Sequence, residues 1–317
     1  VSKKFGYSGK QFDQANVALG DLARNGARFG VTIEDAFASF EQMSDALRTT
    51  NITTVSEYVK NLQNIPKAYG IAREEVMALG GTLGFFGLSS EKTQKYFQLI
   101  AAQSKIYGVN VSKVAATINS ALPKWKQLGF KGGEDSLARM SAQAEKLGIK
   151  VETILDIADK MQNLETTMES AANLNILGGT FANTDPFQLM SAAVQGGDAM
   201  QKMLLNLGQD IGSINKKGEF EINFVDRKRL KAASEAVGIG FDEYYNMLSQ
   251  AKIKTEKITK ANNAGIFFSG MKDDEKQMLL DYMSFNEKGE IQIKGLQGID
   301  NINQLKSLIL VKGLGFG

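Results

Sequence analysis

Leu147-Gly148-Ile149-Lys150-Val151-Glu152 is the stretch on which the fold turns. An apolar residue is followed by Gly, then by an aliphatic residue, then by a residue that opens a new helical pattern. A helix ends most cheaply in the left-handed backbone region, where Gly has no Cβ to clash, and an apolar residue just after it packs back on the last turn. The same phrase recurs as Phe29-Gly30-Val31-Thr32, Tyr69-Gly70-Ile71, Phe86-Gly87-Leu88-Ser89, Tyr107-Gly108-Val109-Asn110 and Val237-Gly238-Ile239-Gly240. Gly30, Gly70, Gly87, Gly108, Gly148 and Gly238 are therefore the candidate helix-corner residues. Thr32, Ser89 and Asn110 can each accept a hydrogen bond from an orphan N–H of the next helix, and Thr32 with Asp35 approximates a capping box.

Between the corners the apolar residues recur with helical period. In Asp135 to Leu147 they are Leu137, Met140, Ala144 and Leu147, one face of a helix. From Val151 to about Asn175 the pattern Val151, Ile154, Leu155, Ala158, Met161, Leu164, Met168, Ala171 predicts the longest helix of the chain. The Met residues on these faces read as core filler. Corners at Gly30, Gly70, Gly108 and Gly148 fall about 40 residues apart, the spacing of helical-hairpin arrays. Gly87 interrupts the series and a long gap follows Gly148, so the array is irregular.

The last third changes period. Ile214-Asn215-Lys216-Lys217-Gly218-Glu219-Phe220-Glu221-Ile222 alternates apolar and polar residues around a Lys-Gly turn, as a half-buried hairpin does. The phrase returns as Phe285-Asn286-Glu287-Lys288-Gly289-Glu290-Ile291-Gln292-Ile293, 71 residues later from Gly218 to Gly289. Each copy follows an amphipathic helix and precedes a further helical pattern, beginning at Asp226 and at about Asn301. The expected fold is thus mainly α: an irregular stack of helical hairpins with two small β-hairpins in the C-terminal third. Its expected segments are residues 1–78, an N-terminal helical part; 79–212, the hairpin array; and 213–317, the duplicated helix–β-hairpin–helix modules.

Composition narrows function. The 317 residues include 37 Lys+Arg against 35 Asp+Glu, 43% hydrophobic residues, 32 Gly, no Cys and no His. Without Cys or His there is no disulfide framework, no usual zinc ligand set, and no Ser-His-Asp or Cys-His pair. A formal net charge of +2 with both signs dispersed does not suggest specific nucleic-acid binding. No window approaches the 18 or so apolar residues of a membrane span. The first residue is Val, with no secretory leader pattern after it, and the chain is expected to be a piece of a longer or processed one.

Few phrases suggest chemistry. Glu169-Ser170 with Asn173 resembles the Glu-Ser of lytic transglycosylases, in which Glu serves as general acid and base on a glycosidic bond. Pro186-Phe187-Gln188-Leu189-Met190 does not match that family's downstream motif, and the helical period turns Glu169 to solvent. Gly178-Gly179-Thr180 and Gly196-Gly197-Asp198 lack the context of a phosphate loop and read as a helix stop and a turn. Asp273-Asp274-Glu275 reads as an acidic helix start, and Trp125 as a packing anchor. No catalytic residue, cofactor site or metal site is assigned, and the expectation is a protein that is not an enzyme.

Taken in order, several phrases resemble the tail tape measure proteins of tailed bacteriophages, particularly the large contractile-tailed type. They are Phe86-Gly87-Leu88-Ser89-Ser90-Glu91, Ala144-Glu145-Lys146-Leu147-Gly148-Ile149, the run from Glu169-Ser170-Ala171 to Leu177-Gly178-Gly179, and the run from Asp226-Arg227-Lys228-Arg229 to Val237-Gly238-Ile239. The stretch from about Leu79 to Leu248 is about half of the chain. The resemblance implies a virion structural protein in the tail lumen or baseplate hub, made in the host cytoplasm. Such a protein sets tail length, takes part in tail assembly and leaves ahead of the DNA during genome ejection. It also implies tail tube and baseplate hub proteins as partners, further copies of the chain in the lumen, and transient contact with the host membrane. A tape measure's ruler is a long continuous helix rising about 1.5 Å per residue. A chain broken by Gly corners is instead expected to be a globular part near a tail end. The apolar, Gly-rich stretches Met77 to Leu88 and Ala264 to Gly270 suit close helix packing better than membrane insertion. The rival readings are a tail-associated peptidoglycan hydrolase and a helical-repeat scaffold protein.

Overall fold

The computed structural model describes residues 5, 7–130, 133–263, 273–286 and 289–293. They form a mainly α protein of short helices folded back on one another, with two small two-stranded antiparallel sheets. The helical pattern beginning near Asn301 and the apolar stretches Ala264 to Gly270 and Leu308 to Gly317 lie outside the described residues. The chain divides into two compact units, Val1–Ser104 with Val109–Pro123, and Lys105–Gly108 with Lys124–Gly317.

The first unit contains α1 (Lys10–Gly26), α2 (Ile33–Leu47), α3 (Ile52–Leu62), the short α4 (Ile65–Tyr69), α5 (Arg73–Phe85), most of α6 (Ser90–Tyr107) and the first part of α7 (Val111–Leu128). Phe40, Met43, Leu62, Met77, Leu83 and Phe97 are fully buried among them. The broadest packing is α2 on α5, and glycines set its closeness. A Cβ on Gly81 would run into Ala46, and one on Gly84 into Leu47 and the Tyr58 ring. The Gly-rich stretch Met77 to Leu88 is thus a helix-packing surface in this fold, most of it on α5.

The corners show why the recurring phrase has its form. Gly30, Gly70, Gly87, Gly108, Gly148 and Gly238 all have positive φ, between 65° and 94°. At Gly148 the next residue's N–H, from Ile149, reaches back to Ala144 O at 3.0 Å, and Val31, Leu88, Val109 and Ile239 make the equivalent bond at their corners. This is the geometry that satisfies carbonyls left over at a helix end. Val31, Ile71, Ile149 and Ile239 are buried, so the aliphatic position of the phrase closes those four corners against the core, while Leu88 and Val109 are half-buried. Thr32 Oγ1 accepts from Asp35 N at 3.1 Å while Asp35 Oδ2 accepts from Thr32 N at 2.9 Å, a complete capping box. Arg73 pairs with Asp35 at 2.6 Å, tying the start of α5 to the start of α2. Ser89 and Asn110 accept from Lys92 N and Lys113 N.

The second unit contains α8 (Gly133–Leu147), α9 (Val151–Met161), α10 (Leu164–Asn175), α11 (Pro186–Gln195), α12 (Gly197–Leu207), β1 (Ser213–Ile214), β2 (Phe220–Glu221), α13 (Phe224–Val237), α14 (Phe241–Asn263), α15 (Asp273–Tyr282), β3 (Met283–Phe285) and β4 (Ile291–Ile293). On α8, Leu137, Met140 and Ala144 are fully buried and Leu147 is half-buried. Trp125, at the end of α7, is buried against Phe130 with ring centroids 4.4 Å apart. The helices α9 to α13 pack on one another, and α14 contacts α13, α12, α8, α15 and strands of both hairpins.

One expectation is corrected. Val151 to Asn175 is not one long helix: it breaks between Met161 and Leu164, and the longest helix among the described residues is α14, with 23 residues. Side chains that compete for backbone hydrogen bonds cause the break. Asn163 adopts an extended conformation and accepts from Thr166 N at 3.2 Å. Thr166 Oγ1 donates to Lys160 O at 2.7 Å, and Thr167 Oγ1 donates to Met161 O at 2.8 Å. The break resets the face, so Leu164 and Met168 are exposed and Thr167, Ser170, Ala171 and Leu174 are buried in their place.

The two hairpins are alike in detail. Ile214 pairs with Phe220, and Phe285 with Ile291. In each turn the Asn N–H donates to the Glu carbonyl four residues on, Asn215 to Glu219 at 2.9 Å and Asn286 to Glu290 at 3.0 Å, and the Gly N–H donates back to the Asn carbonyl. Gly218 has φ 81° and Gly289 φ 75°, the left-handed third position of a three-residue hairpin loop. The turns also meet each other. A Cβ on Gly218 would strike the Phe285 ring, and one on Gly289 would strike Lys216 O.

Two outcomes follow from this packing. Gly148 and Gly218 are both left-handed, but nothing lies within 4 Å of a Cβ on Gly148. Gly148→Ala should cost only the backbone penalty, about 1 kcal/mol, and Gly218→Ala about 3 kcal/mol once overpacking against Phe285 is added. Urea unfolding followed by the fluorescence of Trp125 measures both in the same unit. The Asp35 carboxyl is held down to about 2, first by the hydrogen bond from Arg73 and then by that from Thr32 N. A depressed carboxylate stabilises the fold above its unfolded pKa and loses that contribution as pH falls through its folded one. The difference in Tm between the native chain and Asp35→Asn should therefore be present at pH 6 and shrink as pH falls from about 4 toward about 2.

Candidate functional site

Two of the phrases that carry the family resemblance meet in the second unit. Arg229 of α13 aims its guanidinium at the end of α10: Nε donates to Leu177 O at 3.1 Å and Nη2 to Gly178 O at 2.8 Å. The same group pairs with Asp210 at 2.8 Å and Asp226 at 3.3 Å. Asp210 in turn accepts from Thr180 N at 3.1 Å and Thr180 Oγ1 at 2.5 Å. Burial pushes the Asp210 carboxyl up, but hydrogen bonds from Thr180 and Arg229 outweigh it and leave the group below the ordinary carboxylate range. Ser170 Oγ adds a second tie, to Ala236 O at 2.9 Å. Gly178-Gly179-Thr180 thus wraps a fork of one Arg and one Asp, and a Cβ on Gly179 would collide with both.

Glu169 lies on the exposed face of α10, next to the buried Ser170. Phe181 is fully buried under the Arg229 guanidinium, which stands 5.5 Å from its ring centroid. Within the knot Arg229, Asp210, Asp226 and Thr180 are taken up in hydrogen bonds and ion pairs with one another and with the backbone. Its chemistry is that of a clamp joining the α10 end, the α12–β1 connection and α13.

A second constellation lies along α14, beside α8 and α15. A cavity of about 260 Å³ is lined by Tyr107, Lys146, Leu147, Leu205, Ile253, Lys254, Lys257, Gln277, Leu280 and Asp281, with Gln143, Gln250, Ala251 and Thr255 completing the wall. Lys146 Nζ reaches Asp281 Oδ1 at 3.0 Å, and Gln277 Nε2 donates to the same oxygen at 3.1 Å. Lys254 Nζ donates to Gln277 Oε1 at 2.8 Å, and Lys257 Nζ to Leu280 O at 2.9 Å. Burial pushes the Lys257 ammonium down, Asp281 opposes this and Lys146 reinforces it. The corner Gly108 sits against the ion pair, with Asp281 Oδ2 3.3 Å from where its Cβ would be.

Of the glycines singled out in the sequence, Gly108 and Gly148 each follow a residue that lines this cavity, Tyr107 and Leu147. Gly218 and Gly289 are brought together at the hairpin turns, and the other corners stand apart in their units. Sequence reasoning missed the cavity's lysines. Lys254 and Lys257 fall one turn apart on α14, a spacing that was readable, but Lys146 and Asp281 are 135 residues apart. Among the described residues there is no group of three or more Asp and Glu placed to hold a metal ion, and no helix long and apolar enough to cross a membrane. Comparison of the chain with protein-family models, with curated proteins and with solved structures finds no match in any of the three.

Arg229→Met would leave Asp210 and the Leu177 and Gly178 carbonyls without their donor. Losing these hydrogen bonds from a pair that stands partly in solvent costs about 1.5 kcal/mol. Thermal unfolding should show that loss, and Asp210→Asn, which keeps the acceptor for Thr180, a smaller one.

Proposed function

We propose that this chain is a structural part of a bacteriophage tail, of the tape measure type, acting in tail assembly and length determination and leaving ahead of the genome at ejection. The observation that carries the reading is the ordered set of phrases from Phe86 to Ile239. Support comes from the way two of them depend on each other: Arg229 of one holds the Leu177 and Gly178 carbonyls of the other. A physical contact of that kind gives the paired phrases a common reason to occur together.

The segment acts as a folded piece rather than as the ruler itself. Its longest described helix has 23 residues, roughly 35 Å at 1.5 Å per residue. Tail tube and baseplate hub proteins are its partners in this reading, with further copies of the chain beside it in the lumen. A chain of local helical hairpins, free of disulfides, can unfold to pass a narrow tube and refold from nearby contacts.

Mass spectrometry of purified phage particles tests the proposal directly. The chain should be present as a virion component and should cross-link to tail tube protein; its absence from particles would place it among cellular helical scaffolds. A peptidoglycan zymogram should show no clearing by the chain. Clearing that is lost in Glu169→Gln would replace the structural reading with the hydrolase one.

A further inference from the structure

We propose that the cavity between the α10–α11 connection, the start of α11 and the end of α12 is a binding site for an uncharged saccharide ring. Its volume of about 330 Å³ is that of a small-molecule site. Asn183, Gln188, Asn206 and Gln209 all line it, and all four are exposed. None of their side-chain amides makes a hydrogen bond to another described residue. Among the described lining residues there is no Lys, no Arg and no aromatic ring, and Asp185 is the one carboxylate.

The donor set selects the ligand class. Each amide side chain offers two N–H donors and a carbonyl acceptor, and each sugar hydroxyl both donates and accepts. Four amides around one cavity therefore match a ring that carries several hydroxyls. An anion would meet Asp185 with no lining cation to offset it. A nucleobase would lack the aromatic platform on which its face stacks. Met203 and Leu207 supply apolar surface for the C–H face of a sugar ring. The walls are held in place by the chain itself. Thr180 Oγ1 stands 2.6 Å from Leu207 O, joining the α10–α11 connection to α12. Thr184 N donates to Asn175 Oδ1 at 2.8 Å, and Asp185 caps α11 by accepting from Phe187 N at 2.8 Å. Lys252 holds Gln209 O at 3.0 Å. A frame fixed in advance reduces what binding must spend on ordering it. Canonical glycoside hydrolysis uses two carboxylates, so a cavity with Asp185 alone binds the sugar without cleaving it.

Methyl glucoside and N-acetylglucosamine are the probes, titrated into the isotope-labelled chain and followed by NMR, with glucuronate, cyclohexanol and triglycine as comparisons. The side-chain amide resonances of Asn183, Gln188, Asn206 and Gln209 should shift with at least one of the two sugars. Glucuronate should bind more weakly than methyl glucoside, because its carboxylate meets Asp185. Gln188→Ala and Asn206→Ala should each weaken sugar binding about fivefold. Both residues are exposed, so the variants should keep the native circular dichroism and Tm. Should either not fold, Gln209→Ala serves in its place with the same expected direction. Tighter binding of N-acetylglucosamine assigns an acetamido sugar as the natural source, and tighter binding of methyl glucoside a plain hexose. Amide resonances that stay put with both sugars would overturn the site. So would equal shifts with cyclohexanol or triglycine, or native affinity in the folded variants.

Discussion

A helix of 11 to 18 residues, such as most of those here, buries only one stripe and has no stability alone in water. The structure therefore depends on bringing each helix back onto the last within a few residues, and the left-handed corner does this. A positive φ at one residue reverses the chain, the next N–H caps a carbonyl five residues back, and the aliphatic side chain that follows seals the gap. Without these corners the apolar stripes on α8, α9 and α10 would have nothing to cover them, and neither the Arg229 clamp nor the lysine-lined cavity would have walls.

Charged groups do different work in the two units. At the start of α2, Asp35 and Thr32 finish a helix end and recruit Arg73, an arrangement that stays near the surface. In the second unit, Arg229 and the lysines of α14 reach inward to backbone carbonyls. Lys252 donates to Gln209 O at 3.0 Å and Gly212 O at 2.8 Å near the first hairpin, and Lys260 to Gly289 O at 2.5 Å in the second. A single helix thus anchors both copies of the hairpin through ammonium groups, whose long stems lie along apolar surface while the heads find oxygen. Lys254 and Lys257 turn instead toward α15, where they donate to Gln277 Oε1 and Leu280 O.

Some of this was legible before any coordinates. The six corner glycines, the Thr32–Asp35 box and both hairpin turns were read from neighbouring residues, and each has the backbone geometry that its residues favour. Other local features escaped. Arg48 ends α2 in the left-handed region, φ 53°, without being Gly, with its guanidinium 4.7 Å from the centroid of the Phe85 ring. The break at Asn163 was hidden because an unbroken apolar period outweighed an Asn and two Thr whose side chains could rob the helix of its hydrogen bonds.

The sequence by itself determined where helices stop and which way each turn bends, because φ sign, capping and apolar period are set by residues within a few positions of one another. Tertiary structure alone decided what Arg229, Lys146 and Asp281 face. A charge takes its meaning from the burial and the partners around it. Asp226 is near Arg229 in sequence, but Leu177 lies 52 residues from Arg229 and Asp281 lies 135 from Lys146. No pattern of neighbours encodes such meetings; only the folded packing of α8, α10, α13, α14 and α15 brings them about.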